Sequence, residues 1–184
     1  MSNKNTGLKI AISGKSGCGN SSVSRIVAER LNLRLINYTF HDMADEKGID
    51  FEEFCSLAEQ DYSYDRELDR KQVEMAEEGD CVLGSRLAIW LLEDADLKVY
   101  LKASLETRAA RIAEREGGSV EEKLKETHRR DLRDNGRYKK IYGIDNDKYN
   151  FADLIVDADT QNQFQIADII IQAVESSNSN FVNR

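Results

Sequence analysis

The chain has 184 residues, of which 40% are hydrophobic and 33% are charged, and its formal net charge at pH 7 is −8. This length predicts one globular domain with a sizeable core. No apolar run approaches the roughly 18 residues that a membrane-spanning helix needs, and the polar start shows no signal peptide, so we expect no membrane partner. The negative charge argues against nucleic acid as a partner.

Cysteine and proline content indicates the compartment and the turn chemistry. The three cysteines, Cys18, Cys55 and Cys81, lack metal-ligand spacing and cannot all pair with one another. This usage is typical of a reducing compartment, and we expect the protein in the cytoplasm. Because the chain has no proline, its turns must depend on Gly, Asn and Asp.

Residues 8–22, LKIAISGKSGCGNSS, predict a strand, a glycine-rich loop and a helix in that order. Glycines permit positive φ, so backbone N–H groups can converge on an anion, and the helix adds its free N–H groups and the positive end of its dipole. Gly14 and Gly19 have the spacing of the phosphate-loop motif, and Ser21 stands at the position of the magnesium-binding hydroxyl. Asn20 occupies the lysine position of that motif. The alternative interpretation is a glycine-rich turn without a ligand.

Apolar runs and amphipathic segments alternate along the rest of the chain. Strands are predicted at 33–36, 81–85, 97–101 and 153–157, and helices at 20–32, 86–93, 104–116 and 164–175. Another helix follows a Ser119 and Glu122 capping box and runs to about Tyr142. Residues 40–79 are helical with breaks near 48–50 and 61–63, and form either an insert for a second substrate or a plain connection. We expect one domain over residues 1–175 and a frayed tail over 176–184.

Several arginines occupy positions that favour an anionic ligand. Arg86 follows directly on a buried strand, and ligands of open α/β sheets bind at that edge. The helix at 104–116 carries three arginines on one face, which either bind a ligand or pair with Glu114 and Glu116: Arg108, Arg111 and Arg115. Gly117 and Gly118 form a natural hinge before a second basic helix, and a hinged basic pair is typical of a lid over a triphosphate.

Taken together, the motifs resemble the nucleoside monophosphate kinases, and most closely a cytidylate kinase of the short archaeal type, over about residues 8–175. The resemblance is carried by ISGKSGCGNSS, EKGIDFEEF, DRELDRKQVEMAEEGDCVLGSRLA, ADLKVYLKA, TRAARIAERE and RYKKIYGID. It implies a P-loop, three-layer α/β fold with a five-stranded parallel sheet in the order 2-3-1-4-5. It also implies a helical monophosphate-binding insert at about 40–79 and a short lid at about 108–142.

The resemblance implies transfer of the γ-phosphate of ATP to CMP or dCMP with Mg²⁺ as cofactor, and we expect a monomer. The ATP phosphates would lie against the loop residues Gly14, Lys15, Ser16, Gly17, Cys18, Gly19, Asn20, Ser21 and Ser22, with Ser21 also binding the metal. Arg111 would lie against adenine and Arg115 near the phosphates. Arg130 and Arg137 would neutralise charge in the transition state and on the acceptor phosphate.

On the acceptor side, the resemblance assigns Arg86 to the acceptor nucleotide and Asp145 to its nucleoside. Asp65 and Arg66 lie in the insert and would line its pocket, and His41 stands where an arginine usually meets the acceptor phosphate.

Three positions depart from the family pattern: Asn20, His41, and Gly84-Ser85, where the family has an acidic residue before Arg86. One alternative is therefore a catalytically weakened or non-catalytic nucleotide-binding protein of the same fold. Another is a small-molecule kinase with a different acceptor.

Overall fold

The computed structural model of the chain describes residues 7–181, with side chains described through residue 177. Five strands form one sheet: β1 Lys9–Gly14, β2 Arg34–Ile36, β3 Cys81–Gly84, β4 Leu97–Lys102 and β5 Leu154–Asp157. All neighbouring strands are parallel and the order is β2-β3-β1-β4-β5, which confirms the predicted sheet. The carboxyl ends of all five strands therefore lie along one edge.

Eight helices surround this sheet within residues 7–181: α1 Asn20–Leu31, α2 Phe40–Lys47, α3 Phe51–Gln60, α4 Ser63–Ala76, α5 Ala88–Leu91, α6 Leu105–Glu116, α7 Val120–Tyr142 and α8 Gln163–Phe181. None of these helices is long and apolar enough to cross a membrane.

Two predicted helix lengths were wrong. The helix predicted over 86–93 is a single turn, α5, because Leu87 and Leu92 leave helical geometry on either side of it. The helix predicted to end at residue 175 continues to Phe181, where a frayed tail was expected. No glycine or proline interrupts α8, and the hydroxyls of Ser176 and Ser177 donate to carbonyls one turn earlier. Residues 182–184 of the predicted tail lie outside the described residues.

The core has one layer on each face of the sheet, as the alternation of side chains along a strand requires. On β1, Ile10 and Ile12 pack with apolar residues of α1 and α8. Ala11 faces the other way and packs with α5 and the end of α4. The two layers hold β1 in the centre of the sheet, so the loop that follows Gly14 starts from a rigid strand.

Helices α2, α3 and α4 form a separate cluster over the β2 end of the sheet, with buried Met43 and Phe54 at its centre. The predicted breaks are confirmed: Gly48 ends α2 in the left-handed region with φ 64°, and the Asp50 side chain caps α3. Gln72 is buried and its amide donates to the Tyr38 carbonyl at 2.7 Å, which fixes α4 against the segment after β2.

Helices α6 and α7 form an antiparallel pair beside the sheet edge. Gly117 and Gly118 join them with φ values of 80° and 91°, a region that favours glycine. The predicted capping box is confirmed, because Ser119 and Glu122 bond each other's backbone N–H groups at the start of α7.

Candidate functional site

The glycine-rich loop has the geometry of an anion-binding cradle and lies at the carboxyl end of β1. Gly17 and Gly19 have φ values of 86° and 99°, and Gly19 precedes α1 without any side-chain cap. The first N–H groups of α1 are therefore directed at the loop without a side-chain acceptor, as in an anion site. A side chain at Gly17 would come within 2.9 Å of the Arg108 carbonyl oxygen, so the loop packs directly on α6.

The Asn20 side chain closes the loop on itself. Its Nδ2 donates to the Gly14 carbonyl at 2.7 Å, and its Oδ1 is buried without a hydrogen-bond partner within the described residues. A Cβ at Gly14 would lie 2.6 Å from that Oδ1, so glycine is needed there for the asparagine to fold back. Asn20 thus stabilises the loop conformation and supplies no charge to a phosphate.

The other loop cation, Lys15, forms an ion pair at 2.6 Å with Asp147 in the turn after α7. Its side chain is 24% exposed and still lines the cavity described below. Its charge is shared with a carboxylate, so Lys15 does not simply replace the missing lysine.

The three arginines of α6 do not act as one cationic face, and the prediction was wrong for Arg108. Arg108 is 4% exposed, pairs in bidentate fashion with Asp131 of α7 at 3.0 and 2.6 Å, and donates to the Ser16 carbonyl. Its side chain therefore packs between the phosphate loop and α7. Arg111 donates to the Ala158 carbonyl and Arg115 pairs with Glu116, and both line the cavity.

Arg130 reaches from α7 to the phosphate loop. Its Nη1 donates to the Ser16 hydroxyl at 3.1 Å, and the structure shows no ion pair for it anywhere in residues 7–177. A guanidinium in a cavity without a carboxylate partner is available to an anion. Arg130 is therefore the arginine best placed to meet phosphates on the loop.

Two arginines on the acceptor side are held by carboxylates. Arg86, at the end of β3, lines the cavity and pairs with Asp134 of α7 at 2.6 Å. Arg137 forms a bidentate pair with Asp65 of α4 and donates to the Ala58 carbonyl at 2.6 Å. Asp65 lines the cavity, whereas Arg137 is not among its lining residues. The Arg137–Asp65 pair thus joins α7 to α4 at the rim.

The remaining predicted acceptor residues lie in different places. The His41 ring stacks on Phe51 with centroids 3.4 Å apart, and His41 lines the cavity. Asp145 accepts a hydrogen bond from Asn135, forms an ion pair with Lys139 and is not among the lining residues. Arg66 is exposed and is likewise outside the lining set. The structure therefore brings His41 to the cavity and leaves the other two outside it.

The sequence did not point to Asp69, which also lines the cavity. Tyr142 of α7 donates to its carboxylate at 2.6 Å. Burial raises the pKa of Asp69 to about 6, the nearby Asp65 charge adds to that rise, and the Tyr142 hydrogen bond opposes it. The segment DRELDRKQ did carry a signal, because residues three and four apart share one face of a helix. The α4 residues that line the cavity have this spacing: Asp65, Leu68, Asp69 and Gln72.

All these groups surround one cavity of about 1220 Å³ between the loop, the three-helix cluster and α7. Sites for one small ligand usually measure roughly 300–1,000 Å³, so this cavity has room for two. Its cations are Lys15, Arg86, Arg111, Arg115 and Arg130. The arrangement can bind a polyphosphate on the loop and a second anion near Arg86.

Comparison with known proteins identifies the family. Residues 9–160 match the model of the cytidylate kinase-like family. The chain is 44% identical over 175 residues to cytidylate kinase 2 of Borreliella afzelii, covering 93% of this chain and 98% of the relative. It is 38% identical over 173 residues to cytidylate kinase of Methanocaldococcus jannaschii, covering 91% of this chain and 97% of the relative.

Solved structures show the same fold at low sequence identity. Shikimate kinase from Acinetobacter baumannii in complex with shikimate has a TM-score of 0.63 and 19% identity, covering 94% of this chain and 95% of that one. Deoxyadenosine kinase from M. mycoides with bound dATP has a TM-score of 0.57 and 18% identity, covering 91% and 100%. The predicted P-loop kinase fold is confirmed, and the chain belongs to the cytidylate kinase-like family.

Proposed function

We propose that the protein transfers the γ-phosphate of ATP to a nucleoside monophosphate, with CMP or dCMP as the acceptor. The observation that carries the proposal is a continuous cavity of about 1220 Å³, which extends from the phosphate loop to Arg86 at the end of β3. A phosphoryl transfer between two nucleotides needs two adjacent anion sites and little covalent chemistry from the protein. The curated relatives named cytidylate kinase support the same reaction.

On the donor side, the loop N–H groups and the start of α1 would hold the ATP phosphates. Ser21, in the first turn of α1, would bind Mg²⁺ through its hydroxyl, as the sequence predicts. The described residues contain no cluster of three metal-binding His, Cys, Asp or Glu side chains, which fits an ion held mainly by phosphates and water. When bound, Mg²⁺ neutralises charge on the transferring phosphates.

Charge neutralisation by the chain itself falls to the arginines of α6 and α7. Arg130 would meet the transferring phosphoryl group, with Arg115 near the phosphates and Arg111 against the adenine. The Gly117–Gly118 link would let the two helices close as a lid over ATP. The Arg137–Asp65 pair would then couple the lid to α4, so that closure also encloses the acceptor.

We propose that Asp69 favours cytosine over uracil in the acceptor pocket. An ionised carboxylate only accepts hydrogen bonds. Cytosine presents an amino donor where uracil presents a carbonyl acceptor, so the ionised form of Asp69 attracts the first and repels the second. With a pKa of about 6, the carboxylate is more fully ionised as the pH rises towards 7.5.

The pH dependence of base selectivity tests this role. We expect the ratio of kcat/KM for CMP to that for UMP to rise about tenfold from about pH 5 to pH 7.5, because protonation below the pKa gives Asp69 a donor for uracil. Asp69→Asn should have a lower ratio that does not change with pH. Tyr142→Phe keeps the carboxylate but removes a hydrogen bond that lowers the pKa of Asp69, so its ratio should still rise with pH, with the midpoint moved to higher pH. A wild-type ratio that is constant over this range would contradict the role.

The proposed reaction is tested by ADP release in a coupled assay with ATP, Mg²⁺ and a panel of CMP, dCMP, UMP, AMP and GMP. CMP and dCMP should give the highest kcat/KM. A preference for a purine monophosphate would contradict the proposed acceptor and leave the kinase reaction in place. A protein that binds ADP but forms no ADP from ATP with any acceptor would instead be a nucleotide-binding protein that has kept the fold.

A further inference from the structure

The ion pair between Lys15 and Asp147 has no role in the reaction proposed above. Lys15 Nζ lies 2.6 Å from Asp147 Oδ1, and Lys15 lines the cavity together with the rest of the phosphate loop. The two side chains are 24% and 58% exposed, and ion pairs as open to solvent as this one contribute little to stability. The pair is therefore better explained by what it does for the loop than by what it adds to the fold.

The Asp147 carboxylate is held in place by its surroundings. Its second oxygen, Oδ2, accepts a hydrogen bond from the Asn135 amide of α7 at 3.0 Å, and its N–H donates to Asp145 Oδ1 at 3.2 Å. Two residues further on, the Tyr149 ring stacks on Tyr100 of β4 with centroids 3.8 Å apart. The turn that carries Asp147 is thus attached both to α7 and to the sheet.

The loop backbone beside Lys15 is also fixed. The carbonyl of the next residue, Ser16, accepts from Arg108 at 3.2 Å, and the Ser16 hydroxyl accepts from Arg130 at 3.1 Å. Lys15 is therefore held at both ends, by its backbone and by Asp147. Because Arg130 contacts the residue that follows Lys15, and both cations line the cavity, the two belong to the same part of the site.

A lysine held in this way still has protons to donate. An ammonium group has three N–H donors, and a single bond to Asp147 leaves two of them. A free lysine is a point charge on a flexible four-carbon stem, so fixing it in advance reduces the entropy that is lost when it binds an anion. The loop needs such a cation, because Asn20 supplies no charge at the usual lysine position.

We propose that Asp147 is a positioning residue of the phosphoryl-transfer site, which holds the Lys15 ammonium beside the loop so that its two remaining protons bind phosphate oxygens of ATP. This inference rests on the proposed function and adds one cation to the arginines named there. Lys15 supplies from position 15 the charge that the loop lacks at position 20. Asp147 contributes only through Lys15, by fixing where that charge lies.

A double-mutant cycle tests the inference, with CMP kinetics and with calorimetry of a non-hydrolysable ATP analogue. Lys15→Met should lower kcat by about 10²-fold and the affinity for the analogue by about tenfold. Asp147→Asn should lower kcat by about tenfold, because the ammonium is present but no longer fixed, with KM for CMP within about twofold of wild type. Asp147→Glu keeps a carboxylate and should recover part of that rate. The double variant should be no slower than Lys15→Met, since Asp147 acts only through the lysine.

Asp168→Asn is the matched control. Asp168 of α8 is 56% exposed, close to the value for Asp147, and forms an ion pair with Arg30 of α1, away from the cavity lining. Its replacement should leave kcat within about twofold. The melting temperatures of Asp147→Asn and Asp168→Asn should both lie within about 4 °C of wild type, so that a loss of rate in the first is not a loss of folded protein.

The outcomes separate this inference from the proposed function. An Asp147→Asn variant as fast as wild type would overturn the inference, and a faster one would show that the carboxylate masks Lys15 instead of positioning it. So would a double variant in which the two losses multiply, because Asp147 would then act independently of Lys15. In each of these cases wild type still phosphorylates CMP and the proposed function stands. A wild-type protein that phosphorylates no monophosphate would overturn the proposed function, and the inference with it.

Discussion

Replacing Arg130 with alanine is expected to lower kcat for phosphoryl transfer by about 10²- to 10³-fold, with a change in ADP affinity of less than about tenfold. Arg130 contacts the loop through the Ser16 hydroxyl and has no ion pair within the described residues, so its charge is available to the phosphates. Charge builds up on the transferring group mainly in the transition state, and the loss should therefore appear in rate more than in ground-state binding. Steady-state kinetics with CMP and ADP calorimetry measure the two effects.

Arg129→Ala is the matched control for this prediction. Arg129 is the preceding residue of α7, is exposed, donates to the Lys125 carbonyl and does not line the cavity. Its removal should leave kcat within about twofold, as is usual for an exposed surface residue. An Arg130→Ala variant that loses rate and ADP affinity equally would show that Arg130 binds the ground state and the transition state alike.

Arg86→Ala is expected to reduce kcat/KM for the acceptor by about 10²-fold, with little change in KM for ATP. Arg86 lies at the carboxyl end of β3, and its removal takes a cation from the acceptor side and leaves Asp134 with only its longer 3.7 Å ion pair to Arg133. Asp134 is only 8% exposed, so a carboxylate there that has lost its shorter ion pair would also repel an incoming phosphate. Initial rates with varied CMP and saturating ATP measure the effect.

The double variant Arg86→Ala with Asp134→Asn separates the two contributions. If the Asp134 carboxylate causes part of the loss once Arg86 is gone, the double variant should recover acceptor binding relative to Arg86→Ala. Asp134→Asn alone should reduce kcat/KM less than Arg86→Ala, because the cation is retained. An Arg86→Ala variant that matches wild type with CMP would contradict any role of Arg86 in acceptor binding.

The parts of the fold that were predicted correctly are encoded locally. The loop between β1 and α1 follows from glycines at Gly17 and Gly19, whose positive φ values few other residues adopt. The Ser119–Glu122 capping box and the Gly48 break are equally short-range signals. The helix predicted at α5 was too long because the apolar residues of this segment can pack in the core in either a helical or a non-helical conformation.

The partners of the site cations could not be predicted from sequence. Arg108 pairs with Asp131, and Lys15 pairs with Asp147. The partners are far apart in the sequence and meet only because α6 and α7 pack against the loop. Helical spacing correctly placed three arginines on α6 but gave no information about which of them the loop would bury. The folding back of Asn20 onto Gly14 was likewise hidden, because it depends on the shape of the loop.

We propose that this cavity holds ATP beside a nucleoside monophosphate, so that the γ-phosphate passes directly from one to the other. ATP labelled in its γ-phosphate, incubated with Mg²⁺, CMP and the protein and then separated by chromatography, tests it most directly. We predict that the label appears in CDP, in a one-to-one ratio with the ADP formed, and that inorganic phosphate stays at the level seen without CMP. Label that remains in ATP or passes only to inorganic phosphate, with every monophosphate supplied, would contradict the claim.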